Sequence, residues 1–510
     1  MTVPDRLVVG LDSSTQSTKA IAWDRDGHAL AEGRAPIPLA NPKLFHFEQD
    51  PADWWSAART ALRELFSKID AARVAAVAIS NQRETVAFLD EHGESVRPAM
   101  VWLDERARQE VRDLAEQLGA DTIHRITGRY PDLTPCVYRY LWVKRHQPDI
   151  YARIACFADV QCFLVRQLTG HLRTGWISAD PMGLFDLEAK RWSPEILEAL
   201  ELSEDRLPEA LPPGSLLGEV SDVAAKATGL PTGTPVFAAG GDGQLAGLGT
   251  DCTNSKRAYI NLGTAVVSGV WSPDYAYSKA WRTEIAAQGE GYILENCLRS
   301  GAFLVNWFVD QFTPQGRGDP AVFEKLEAAA SELPIGADGL MALPYWSGVM
   351  DPHWDTSARG CLIGFGGGHT PAHVYRAIIE GMTLDQVMRT ALMEQEAGLE
   401  ISEYLAIGGG ASSPLWRQML ADASGKTVLI SDTVEASALG AAMIAAFGLG
   451  WYPSITEAAH AMAGKSRPVE PDAGRGERYR ALLDIYRGLY HATAATSRRL
   501  VAFAAEEQGA

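Results

Sequence analysis

Apolar and polar positions change their period several times along this chain, and each change marks an element. LVVGLDSSTQSTKAIAWDRDGHALAEG is two apolar runs joined by a Ser/Thr turn, then a DRDG turn and a third extended run, which predicts a meander of antiparallel strands. Asp50 and Pro51 suit a helix N-cap and first helical position, and Trp54, Ala58, Leu62, Leu65 and Ile69 then recur at helical spacing. VAAVAIS follows as a wholly apolar strand. Just past the midpoint, RAYINLGTAVVSGVW repeats the opening pattern of two apolar runs around a short Gly/Thr turn. No period of about 20 to 50 residues recurs, so the echo points to two halves of similar design rather than a solenoid. The boundary is expected near residue 250, giving domains 1–250 and 251–510.

In the second half a helix should begin at Thr370 and Pro371, bury Val374, Ala377, Ile378, Leu384, Met388 and Leu392, and stop at Gly398. The strand YLAIGGG leads into a helix capped by Ser413 and Pro414 and ended by Gly425. That order of strand, glycines and helix sets backbone amides against phosphate. The stretch from Gly476 to Ala505 reads as one long amphipathic helix.

Length and composition narrow the class. At 510 residues, with 46% hydrophobic and 22% charged residues, the chain can bury two large cores and a cleft between them. A net charge of -18 repels nucleic acid and anionic membranes, so any anionic ligand must be held by amides, a lysine or a metal. The longest apolar stretch, Ala436 to Tyr452, falls short of the roughly 20 residues of a spanning helix and reads as buried. Six scattered cysteines without metal-ligand spacing, and an N-terminus without a signal-peptide pattern, lead to the expectation of a cytoplasmic protein. A small-molecule substrate is expected, with no nucleic-acid or membrane partner, and the sequence leaves room for a homodimer.

Several segments carry candidate chemistry. GLDSSTQSTKA puts Asp12 at the end of a buried strand, ahead of a hydroxyl-rich turn and Lys19. Such a hairpin can wrap terminal phosphates while the carboxylate holds magnesium. NLGTAVVSG, with Gly263 and Thr264, offers a matching hairpin from the other half. IGGGASSPLW fits neither the dinucleotide fingerprint nor the P-loop spacing, so a nucleotide would have to use the two-hairpin design. VFAAGGDGQLAGLG runs an apolar strand into Asp242, a carboxylate placed to meet a substrate hydroxyl as general base. In SNQRETVAFLD, Arg83 and Glu84 can donate to and accept from vicinal hydroxyls.

Together these segments resemble the FGGY family of carbohydrate kinases, in order and over nearly the whole chain. GLDSSTQSTKA resembles its first phosphate loop and NLGTAVVSG its second. IGGGASSPLWRQMLAD and EASALGAA resemble its adenosine segments, and LPYWSGVMDPHWDTSARG with HTPAHVYRAIIEG its C-terminal signature. The resemblance implies an α/β fold of two ribonuclease-H-like domains, as in the actin and hexokinase superfamily, flanking a deep cleft. It implies ATP and Mg2+ as cofactors, Asp242 as the catalytic base and Asp12 as the metal-associated carboxylate. Thr15, Lys19, Gly263, Thr264, Gly409, Gly410, Ala411 and Pro414 fall at nucleotide-contacting positions, and Arg83, Glu84, Trp102, Asp104, Asp242 and Gln244 at sugar-contacting ones. Pro414 stands where glycerol kinases carry an Asn, Arg139 where many members have a Lys, and Cys136 where a Pro, Ser or Thr is usual.

Substrate markers are mixed. NQRET resembles glycerol kinases, whereas VWLDERA and GGDGQ resemble xylulose, gluconate and autoinducer-type kinases. D-xylulose ranks first, and glycerol, erythritol or another polyol or sugar acid second. The rival from a different class is an actin-like or chaperone-like nucleotide switch, which would need a filament surface or a peptide-binding domain.

Overall fold

The computed structural model describes residues 6–433 and 435–507. Two sheets organise it, and each begins with the meander anticipated from the sequence. In the first, Leu7–Ser13, Ser17–Trp23 and Ala29–Pro36 pair antiparallel in succession. Leu7–Ser13 also pairs parallel with Val74–Asn81, which pairs parallel with Pro235–Gly241, and Leu216–Glu219 closes the edge antiparallel. The second sheet repeats this plan with Arg257–Leu262, Val266–Ser272 and Tyr292–Leu298 as the meander. Glu403–Ile407 and Thr427–Ser431 are its parallel members, and Ser466–Val469 and Arg282–Ile285 its antiparallel edges. The two-domain α/β expectation is met. A smaller five-stranded sheet, inserted in the first half, includes Ser95–Met100 and leads into the segment of Trp102 and Asp104.

The helices start and stop where local chemistry dictates. Asp50 accepts from the Ala52 N–H at the head of Pro51–Phe66, Ser413 accepts from the Trp416 N–H ahead of Pro414–Ser424, and Gly398 ends Pro371–Ala397 in the left-handed region. Two expectations need correction. Ile69 lies beyond the end of its helix, which stops at Phe66. The supposed single C-terminal helix is two, Ala473–Tyr486 and Leu489–Glu507, parted at Arg487 and Gly488.

The halves share a core. Helix Ala436–Gly448, from the second half of the chain, buries Ala438, Ala441, Ala442 and Ala445 with Val8, Ala76, Ala78 and Ala239 of the first sheet. Small residues permit this approach. A Cβ on Gly440 would stand 2.1 Å from the carbonyl oxygen of Leu245, and one on Gly10 would stand 1.9 Å from that of Ala438. Among the described residues no helix is long and apolar enough to cross a membrane.

Candidate active site

Sheet register decides which chemical groups meet. Asp12 pairs with Ser80 across the parallel ladder, and Asn81 pairs with Gly241, so Asp12 and Asp242 emerge at the carboxyl ends of two strands that flank Val74–Asn81. Ligands of open α/β sheets collect at these ends. Asp12 is 6% exposed, and its Oδ1 accepts from Ser80 Oγ at 2.7 Å. Burial, more than the nearby charge of Asp242, pushes its pKa up to about 7. A carboxylate so withdrawn from water suits a cation, so the residues present fit a magnesium ion held at Asp12.

Asp242 opens helix Asp242–Gly249 directly after strand Pro235–Gly241. Its side chain is 37% exposed, and Oδ1 takes the Gly243 N–H at 2.9 Å with Arg83 Nε at 3.4 Å. Burial raises its pKa, and the Arg83 guanidinium opposes that rise. Gly241 is the N-cap residue of this helix, and Asp242 is its first residue.

The two hairpins stand at the ends of the paired central strands. Lys19 lies opposite Asp12 in the first ladder and binds Glu435 at 2.5 Å, while Arg34 reaches the same carboxylate at 2.8 Å. Thr15 Oγ1 accepts from Trp102 Nε1 at 2.9 Å, which brings the inserted segment over the first loop. In the second hairpin the carbonyls of Gly263 and Thr264 accept from the N–H groups of Ala302 and Gly301, fixing the loop to helix Ala302–Phe312. A cavity of about 320 Å³ opens there, lined by Thr264, Phe303, Asn306, Trp307, Asp310 and other residues of that corner. Gly409, Gly410 and Ala411 form a single helical turn beside it. A Cβ on Gly408 would lie 2.4 Å from Asn261 Oδ1, and one on Gly410 would strike the Trp416 ring at 2.5 Å. The glycines therefore let this turn lie flat on the strand that feeds the second hairpin. Pro414 begins the next helix.

The family models for carbohydrate kinases match both halves, the N-terminal domain of the FGGY family over residues 7–249 and its C-terminal domain over residues 258–449. The chain belongs to the FGGY family of carbohydrate kinases. This carbohydrate kinase is 30% identical over 505 residues to a xylulose kinase of Bacillus subtilis, covering 98% of this chain and 99% of the relative. It is also 30% identical over 469 residues to a glycerol kinase of Aromatoleum aromaticum, covering 89% of this chain and 92% of that one. Among solved structures, a xylulose kinase from Rhodospirillum rubrum superposes with a TM-score of 0.89 at 27% identity, covering 96% of this chain and all of that one.

The sugar-contacting positions divide. Trp102 is 36% exposed, whereas Asp104 is 1% exposed and spends its oxygens on Arg106 and on the Phe47 N–H at 2.8 Å. Gln244 is buried, with Nε2 on Asp180 and Oε1 without a partner. Arg83 and Glu84 are enclosed in a buried ion network. Arg83 reaches Glu284 and Glu295, Arg282 reaches Glu84, and Arg129 reaches Asp180 and Glu284.

Sequence reasoning missed Glu284, Glu295, Arg282, Arg129, Asp180 and Glu435 in this constellation, along with Ser437, whose hydroxyl donates to the Asp242 carbonyl at 3.0 Å. A signal was available for two of them. Glu295 interrupts the largely apolar run YILENCL, and Glu284 lies in the short strand RTEI; a charge carried into a buried strand must find a partner.

Proposed function

We propose that this FGGY kinase transfers the terminal phosphoryl group of ATP to a primary hydroxyl of a small ketose, with D-xylulose first. The observation that carries the reading is the Asp242 carboxylate, 37% exposed at a strand end and close enough to Asp12 to help raise its pKa. Residues 1–250 would hold the sugar and terminal phosphates, and residues 251–510 the nucleotide. The sugar hydroxyl would give its proton to Asp242 as its oxygen bonds to the terminal phosphorus and the bond to the ADP oxygen breaks. Lys19 and the backbone amides of the two loops would hold the phosphates. Magnesium at Asp12, when bound, supplies neutralisation of phosphate charge. Six free thiols, five of them buried, support a cytoplasmic setting.

The xylulose kinases among its relatives support the ketose, at an identity of 30%. Glycerol is the second reading, favoured by NQRET and by the glycerol kinase relative. Against it stands the enclosure of Arg83 and Glu84, which occupies groups that would otherwise grip a triol. An ADP-release assay over xylulose, ribulose, glycerol, erythritol and gluconate decides between them. Xylulose should give the highest kcat/KM; release equally fast without any sugar would instead support a nucleotide switch.

A further inference from the structure

Three charges stand in one row across the first sheet. Asp12 pairs with Lys19 in the ladder of Leu7–Ser13 and Ser17–Trp23, and Lys19 pairs with Arg34 in the next, so the three side chains leave the same face of neighbouring strands. Glu435 enters this row from the second half of the chain. Its Oε2 accepts from Lys19 Nζ at 2.5 Å and its Oε1 from Arg34 Nη2 at 2.8 Å. Glu435 is the N-cap residue of helix Ala436–Gly448, yet its side chain makes no capping bond, so the carboxylate is committed to the two cations. The backbone beside it is pinned: a Cβ on Gly249 would stand 2.0 Å from the Ala436 carbonyl oxygen, and one on Gly10 would stand 1.9 Å from that of Ala438. Side-chain rotation is the motion left to Glu435. Lys19 and Glu435 are 19% and 17% exposed, sheltered enough for their charges to matter, whereas Arg34 is 49% exposed. The pair stands at the end proposed for metal and phosphate, because its charges reach Asp12. Burial raises the Asp12 pKa most, and Asp242, Lys19 and Glu435 then act on it in turn.

We infer that Glu435 is a countercharge that competes with the nucleotide's phosphates for Lys19, with Arg34 as the second cation that receives it. This rests on the reading of Lys19 as a phosphate ligand. An ammonium already shared with a carboxylate offers less net charge to a phosphate, and the carboxylate itself repels one. When phosphate takes Lys19, Glu435 keeps a partner in Arg34 without leaving the row. The contact therefore lowers affinity for ATP and ADP alike. Its consequence is faster departure of the product, since an ADP gripped by an uncontested lysine would leave slowly.

Equilibrium titration of the whole protein with ADP and magnesium reads this directly, apart from turnover. Glu435→Gln keeps the shape and removes the charge; it should tighten ADP binding by about tenfold, within the range of ordinary electrostatic coupling. Loss of a merely structural contact would act in the opposite direction. Lys19→Met should weaken ADP binding, and in that background Glu435→Gln should tighten it by no more than about twofold. Arg34→Met leaves Glu435 to Lys19 alone and should weaken ADP binding by about threefold, an effect that disappears once Glu435→Gln is also present. The inference is overturned if Glu435→Gln leaves ADP binding unchanged or weaker, or tightens it equally with and without Lys19. An Arg34→Met loss of the same size with and without Glu435 overturns it too. If Lys19→Met binds ADP as tightly as the parent does, the reading of Lys19 as a phosphate ligand falls and the inference with it; if that variant is weakened while Glu435→Gln fails to tighten, the inference alone falls.

Discussion

The proposed base, Asp242, sits in surroundings that push its strength in opposite directions. Burial raises its pKa above the ordinary 3.8 and Arg83 opposes the rise. A general base must be ionised, so turnover is expected in full above its pKa and lost as pH falls through it. The acid limb of kcat/KM should therefore lie above 3.8, and a limb at or below that value would show that another group controls it. Asp242→Asn keeps the shape and removes the proton acceptor. It should cut kcat by roughly 10²- to 10⁴-fold with ATP affinity nearly unchanged, as read by turnover and nucleotide titration. Asp12 differs in kind: it lacks an adjacent arginine and is pushed by burial to about 7, which suits a cation site rather than a base.

Between elements, the contact of most consequence is the crossing of helices Asp242–Gly249 and Ala436–Gly448. Gly249 and Gly440 each face the other helix's backbone, with a virtual Cβ at 2.0 and 2.1 Å from carbonyl oxygens of Ala436 and Leu245. The first helix begins with Asp242, the proposed base, and the second begins beside Glu435, the partner of Lys19. A displacement here would move both ends of the reaction centre. Gly440→Ala is expected to cost about 1–3 kcal/mol in urea unfolding, as overpacked sites do, and to lower kcat as well. Unaltered stability would mean that the crossing relaxes without strain.

At the scale of the molecule, ion pairs join the halves at several places: Lys19 with Glu435, Arg83 with Glu284, and Asp132 with Arg299. All lie near chain segments that would surround the sugar or the phosphates. Bound substrates would add contacts on both sides, drawing the halves together and excluding water as a competing acceptor. Small-angle scattering should then give a smaller radius of gyration with sugar and nucleotide than without. An identical radius in both states would remove closure from the mechanism.

Local rules were enough for the meanders, for the helix caps at Asp50, Ser413 and Gly398, and for the candidate carboxylates Asp12 and Asp242. Each depends on neighbours a few residues away, through strand alternation, capping bonds and glycine at positive φ. The split of the C-terminal helix at Gly488 was less legible, because an amphipathic pattern continues across it. Beyond the reach of the sequence were the pairings of residues far apart in the chain: Lys19 with Glu435, Arg83 with Glu284 and Glu295, and Asp104 with Phe47. In sequence Arg83 and Glu84 read only as groups able to meet vicinal hydroxyls, and only folding supplies the buried glutamates and arginines that enclose them. The physical reason is that a charge's role is fixed by burial and by its countercharges, and both are set when the two sheets come together.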